Sequence, residues 1–263
     1  VELFNNLRKI ALVVEYNGKR YCGYQWQKGQ PTIQDELEKA IHKLTGENRR
    51  VVAACRTDTG VHAEGQVVSF RTGAALKPHT FVNGLNFYLP EDIAVLKAGM
   101  VSEKFNVMKD AVRREYRYRI LNRRSRSPLL SDFYFHVGAD LDIGLMKEAC
   151  KVLKGEHDFA SFVTSWDREE STVRHIYKTG IKKEGDIIAF QVIANAFLTH
   201  QVRNMVGTLV RVGMSKLGVE DFKEILESKK LSLAGPTAPA HGLCLVKVTY
   251  ADSSEFKYEN LCT

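Results

Sequence analysis

Two hydrophobic periods alternate along this chain, and their order limits the folds open to it. Lys9–Tyr16 (KIALVVEY) is apolar and β-branched, as a central strand requires. Asn17-Gly18 reads as a turn. After Pro31, Thr32 can cap a helix; Ile33, Leu37, Ala40, Ile41 and Leu44 then recur at helical spacing, and Gly46 stops it. Val51–Cys55 reads as a strand, Arg56–Gly65 as a polar loop and Gln66–Phe70 as the next strand. A short helix over Thr80–Tyr88 precedes a strand over Ile93–Met100. The second half repeats the style. Tyr116–Leu121 is a strand, and Asp142 caps a helix that ends near Gly155. Ile176–Lys182 and Ile187–Ile193 are strands joined by the Glu184-Gly185-Asp186 turn. Helices follow over Leu198–Leu217 and Asp221–Ser228, and Gly242–Tyr250 closes as a strand. The order is too irregular for a strict βαβ barrel. It predicts an α+β fold of two related α/β halves, residues 1–105 and 106–263, with a shared, mainly antiparallel central sheet flanked by helices.

Composition narrows the partners. With 44% hydrophobic residues the 263-residue chain can bury a real core. No apolar run approaches the ~20 residues of a membrane helix, and Val1–Lys9 lacks the apolar stretch of a secretory signal. The five cysteines are odd in number and widely spaced, without a C-x-x-C, which argues against a disulfide framework or structural zinc. A soluble, cytoplasmic protein is the expectation. The net charge of +7 favours an anionic partner. Its distribution says more: Arg113, Arg114, Arg117, Arg119, Arg123, Arg124 and Arg126 fall in one stretch against the single Glu115, with Tyr116 and Tyr118 among them. Arginine pairs with phosphate and tyrosine stacks on bases, so the stretch suits RNA. A solvated strand and turn would look the same.

The Arg56–Gly65 loop carries the most chemistry. Loops held by a rigid sheet often do. For a lone D-x-G, an ordinary turn is the first reading, because Asp bonds its own backbone and Gly supplies positive φ. D-T-G is also the mark of aspartic proteases, but those need two carboxylates sharing a proton and this chain has no second copy. His62-Ala63-Glu64 matches the H-x-E of zinc nucleobase deaminases, yet the P-C-x-x-C that completes their metal shell is missing.

The whole run decides between these. Ala54–Phe70 (ACRTDTGVHAEGQVVSF) resembles the R-T-D-A-G-V-H-A-x-x-Q-V-V-x-F motif of the TruA-type tRNA pseudouridine synthases. The resemblance extends through Tyr16-Asn17-Gly18, Gly23, Gln25 and Thr32-Ile33-Gln34 to Arg114-Glu115-Tyr116-Arg117-Tyr118, Val202-Arg203-Asn204-Met205-Val206-Gly207 and Gly242-Leu243. Thr59 stands where the family usually has Ala, and Tyr24 where it usually has Trp.

This resemblance implies a pseudouridine synthase fold and an isomerase of uridine in the tRNA anticodon stem-loop, at positions 38, 39 and 40, needing neither cofactor nor metal. It implies Asp58 as the catalytic carboxylate and Arg203 as the cation beside it. Tyr116 would stack on the uracil, Arg56 would fill the space left by a flipped-out base, and Leu243 would pack under the uracil. Lys109, Arg113, Arg114 and Arg126 are candidate phosphate contacts. The resemblance further implies a homodimer that holds each tRNA across both subunits. The rivals are a noncatalytic RNA-binding or RNA-chaperone protein, which would not need Asp58, and a synthase for another RNA position.

Overall fold

Strand β1, Arg8–Tyr16, is buried from Ile10 to Val14 on both faces, which only a strand inside a sheet can be. A computed structural model describes residues 7–163, 171–230, 233–251, 256–257 and 261–263; residues 1–6 of the amino-terminal stretch considered above lie outside the described residues. The described chain forms two compact units, Val1–Val112 with Leu245–Thr263, and Arg113–Cys244. All five cysteines are free. No helix among the described residues is long and apolar enough to cross a membrane.

In the first unit, β1 leads to helix α1, Ile33–Thr45, then β2 (Val52–Ala53), β3 (His62–Thr72), α2 (Pro78–Tyr88) and β4 (Ile93–Val101). The strands β4, β1 and β3 lie side by side, antiparallel, with Leu12 opposite Val68 and Ala98. Thr32 caps α1 by accepting a bond from the Asp35 amide, and Gly46 ends it at φ 73°, as the sequence predicts. Helix α2 packs on the sheet through Phe81, whose ring meets Phe70 edge-on at 5.7 Å. Asn86 joins α2 to β4, its side chain bonding both backbone groups of Val95.

In the second unit, β5 (Ala111–Asn122) pairs with the hairpin β8 (Val173–Glu184) and β9 (Ile187–Ala194). The shorter β6 (Phe135–Val137) and β7 (Gly155–Asp158) flank it. All these pairs are antiparallel except β5 with β6. The helices are α3 (Ile143–Val152), α4 (Gln201–Gly213) and α5 (Val219–Ser228). Nearly every residue of α4 is buried, so it is the central helix of this unit. The fold class is therefore α+β, with mainly antiparallel pairing flanked by helices, as expected.

The last strand, β10 (Leu243–Tyr250), begins in the second unit and ends in the first. This division differs from the expected halves. Residues 106–112 and 245–263 belong with the first unit because Phe105, Tyr250 and Phe256 stack together, at 4.6–5.4 Å between ring centroids. The Tyr250 hydroxyl also donates to the Val107 carbonyl at 2.8 Å, and Ala98 bridges to Cys262.

Candidate active site

Asp58 lies in the loop between β2 and β3, and that loop is tied down from several sides. Its neighbour Thr57 is buried and shares a 2.7 Å hydrogen bond with the Tyr16 hydroxyl. The Tyr24 amide donates to the Thr57 carbonyl at 3.0 Å. Gln66, fully buried in β3, bonds both the amide and the carbonyl of Cys55. Gly60 takes φ 78°, and the Val61 amide donates to the Asp58 carbonyl at 3.1 Å, so a turn does form at Asp58-Thr59-Gly60. Asp58 is left half-buried, with Arg56 and Thr59 exposed beside it. Gly23, at φ 86°, makes room for the loop: a β-carbon there would sit 2.8 Å from the Thr57 carbonyl oxygen.

The sequence reading carried the loop on to Gly65, whereas β3 starts at His62. His62 is buried and its Nδ1 accepts a bond from the Gly18 amide at 3.1 Å. That is a structural task, and it disposes of the deaminase-like H-x-E. Among the described residues, no group of three His, Cys, Asp or Glu side chains could hold a metal ion.

The second unit carries Tyr116 on β5, Arg203 on α4 and Leu243 at the head of β10. Tyr116 is buried, its ring edge-on to Phe197 at 5.1 Å. Arg203 is half-buried, as its place at the edge of the apolar face predicts, and its Nε donates to the Ala238 carbonyl at 2.8 Å. The Ala238 amide returns a bond to the Arg203 carbonyl. Leu243 is buried.

Tyr118 was not among the expected site residues. It stands two residues from Tyr116, hence on the same face of β5. Its hydroxyl donates to the Pro239 carbonyl at 2.7 Å, and Gly242 packs against its ring so closely that a β-carbon would fall 2.6 Å away. Burial pushes the phenol well above its ordinary range, while the positive charge of Arg203 acts the other way. Tyr118 therefore stays a neutral donor and holds the segment before Leu243 against Arg203. The alternation Tyr-x-Tyr was the available signal.

The expected phosphate contacts have different surroundings. Lys109, Arg113 and Arg126 are exposed. Arg113 lies over the Tyr177 ring at 5.0 Å. Arg114 is half-buried and donates to the Asn195 carbonyl at 2.6 Å, so it also braces β5.

The sequence around these residues matches a known family. The family model described as tRNA pseudouridine synthase matches residues 12–108 and 149–251, taking in the Asp58 loop, α4 and β10. The chain belongs to the tRNA pseudouridine synthase family. Proteins named tRNA pseudouridine synthase A resemble it over nearly their whole length. That of Thermoanaerobacter sp. (strain X514) is 41% identical over 93% of this chain and 100% of the relative. That of Francisella tularensis subsp. tularensis (strain SCHU S4) is 41% identical over 94% and 96%, and that of Chloroflexus aurantiacus 44% over 93% and 89%. As a tRNA pseudouridine synthase the chain is an isomerase by family, and its Asp58 loop is part of what the family model matches.

Proposed function

We propose that this protein isomerises uridine to pseudouridine in the anticodon stem-loop of tRNA, at positions 38, 39 and 40, with Asp58 as the catalytic carboxylate. The reaction breaks the N1–C1′ bond, turns the uracil and closes a C5–C1′ bond. The proton lost from C5 is balanced by one gained at N1, so nothing is oxidised and no group leaves. A stacked base offers neither atom, so the uridine is flipped out and Arg56, exposed in the loop, takes its place. Asp58 acts at the sugar or base, with Arg203 as the cation of the proposed site. Tyr116 stacks on the uracil, and Leu243 packs beneath it. Lys109, Arg113, Arg114 and Arg126 hold phosphates. The protein works in the cytoplasm as a homodimer, with each tRNA held across the two copies.

The observation that carries this reading is the Arg56–His62 run in its loop. Thr57 and Cys55 are tied to the strands around the loop, and Asp58 is half-buried next to them. A turn built only to reverse the chain needs no such bracing. The test is incubation of wild type and Asp58→Asn with unmodified tRNA, followed by carbodiimide mapping of pseudouridine. The expected result is modification of the anticodon arm by wild type and none by Asp58→Asn, with tRNA binding kept. An active Asp58→Asn enzyme sinks the catalytic assignment; modification elsewhere sinks the choice of positions.

A further inference from the structure

Beside the Asp58 loop, within the first unit, runs a groove of about 160 Å³ walled by Tyr24, Gln34, Arg50, Val52, Arg56 and Met108. Among the described residues its lining holds two arginines and no carboxylate. Three features in the groove or on the Arg50 and Gln34 side chains beside it are not used by the chemistry above. Trp26 leaves 42% of its surface in solvent, and the Arg50 guanidinium sits over its ring, 5.8 Å from the centroid. Both are held in place by one frame. The Trp26 amide donates to Gln34 Oε1 at 2.9 Å; Gln34 Nε2 donates to Glu38 Oε1 and to the Val51 carbonyl, and Arg50 reaches Glu38 at 3.5 Å. Finally, Tyr24, only 2% exposed, is one of the lining residues, and its buried hydroxyl has no hydrogen-bond partner. A buried hydroxyl without a partner costs stability, so it needs an explanation.

A flat indole held open, two cations and an unsatisfied hydroxyl describe a ligand that is planar, anionic and hydrogen-bonding. We propose that the groove is a subsite for an unpaired RNA nucleotide next to the target uridine. Its base stacks on the face of Trp26 that Arg50 leaves open, its phosphate pairs with Arg50, and a base edge gives the Tyr24 hydroxyl its missing partner. Stacking on an exposed aromatic and charge pairing of the backbone are how proteins hold single strands. The volume admits one ring system. A second groove of about 400 Å³ shares Arg50 and Val52 and adds Lys9, Arg49 and Arg71, which continues the basic track for the backbone beyond that nucleotide. Glu47 and Glu103 steady the outer two arginines through contacts of 3.1 and 2.8 Å. The inference rests on the proposed function, since it takes tRNA as the ligand.

The chain has two tryptophans, so Trp166→Phe leaves Trp26 as the reporter. Titrating that protein with an unmodified tRNA transcript should quench Trp26 emission to saturation. In the parent protein, Trp26→Ala should weaken tRNA binding roughly tenfold and raise KM more than it lowers kcat, and Trp26→Phe should restore most of the loss. Tyr24→Phe should weaken binding severalfold while leaving the melting temperature of the free protein equal or higher, a pair of effects that a packing role does not produce. Unquenched Trp26 at saturating tRNA, or unchanged binding by Trp26→Ala, overturns the subsite. Quenched Trp26 in a protein that forms no pseudouridine supports the subsite and counts against the proposed reaction instead.

Discussion

Thr57 is buried and Asp58 beside it is half-buried, so the loop turns one side chain into the protein and the next toward solvent. That alternation is fixed by the hydroxyls and amides around Thr57, and Gly23 is the residue that lets them approach. Gly23→Ala would put a side chain at φ 86° and a β-carbon 2.8 Å from the Thr57 carbonyl oxygen. We expect a loss of roughly 1–3 kcal/mol of stability, seen as a lowered melting temperature, and a fall in pseudouridine formation larger than the fall in tRNA binding. An unchanged rate would mean that the Tyr24–Thr57 contact does not position Asp58. At this scale the sequence was most legible where a residue sits in a dense motif. The run around Arg56 and Asp58 is what singles them out as candidates. For Tyr118 the Tyr-x-Tyr alternation gives its face of β5 but not its bond to the distant Pro239 carbonyl. The burial of Tyr24 and the outward set of Trp26 were also invisible, since adjacent letters do not tell which ring points inward.

Among the elements, α4 was found by its period but misjudged in length. The apolar spacing suggested Leu198–Leu217, yet the helix runs only from Gln201 to Gly213. Its limits are set by His200 and Ser215, non-glycine residues at φ 61° and 56°, and neither carries a stop signal that a sequence reader can use. Buried on almost every side, α4 crosses the Pro236–Ala238 segment at Gly207, where any β-carbon would overlap the Pro236 carbonyl. Gly207→Ala should therefore cost about 1–3 kcal/mol and shift the segment that Arg203 bonds. Loss of activity with a lowered melting temperature is the expected reading; a variant of wild-type stability would disprove the close crossing. A second element-scale effect is acidic. After α1, Glu47 accepts bonds from Arg49, Thr72 and the Gly73 amide. The Arg49 bond leads in holding its carboxyl below the usual carboxylate range, with help from Thr72 and Gly73. A depressed carboxylate contributes stability that is present above the unfolded value near ~4.3 and is lost as pH falls through the folded value. Melting temperature against pH should thus decline more gently below about pH 4.3 in Glu47→Gln than in wild type; parallel curves would deny Glu47 that part.

For the whole molecule, the basic balance divides between structure and surface. Of the seven arginines between 113 and 126, Arg114 bonds Asn195, Arg119 lies over the Tyr134 ring at 6.0 Å and Arg123 approaches Asp186 at 3.6 Å. The run that looked like one RNA-binding stretch is partly the bracing of β5 and its neighbours. Removing an exposed member such as Arg126 should weaken tRNA binding and reduce the slope of log affinity against log salt by about 1. Arg114→Ala should lower stability as well as tRNA binding, since Arg114 also bonds the Asn195 carbonyl. Equal slopes for wild type and Arg126→Ala would remove Arg126 from the phosphate contacts. Class and strand direction were readable from the sequence at this scale, whereas the division into units was not. Nothing in the local pattern of Leu245–Tyr250 says that it returns to the strands of the first hundred residues; the aromatic cluster of Phe105, Tyr250 and Phe256 decides that.

That return has a consequence for how the protein is made. Near Gly65, β3 lies against β10, where the Val246 carbonyl leaves no space for a side chain. On the ribosome, β3 is complete long before β10 exists. At ~5–20 residues per second, about 10–30 seconds of translation separate them. Through that interval this part of β3 is an open edge, the kind of surface that invites pairing with another nascent chain. The first unit to be synthesised is thus finished only after the second has been made, and a message cut short before the codon for Leu243 would yield a protein with that edge left bare.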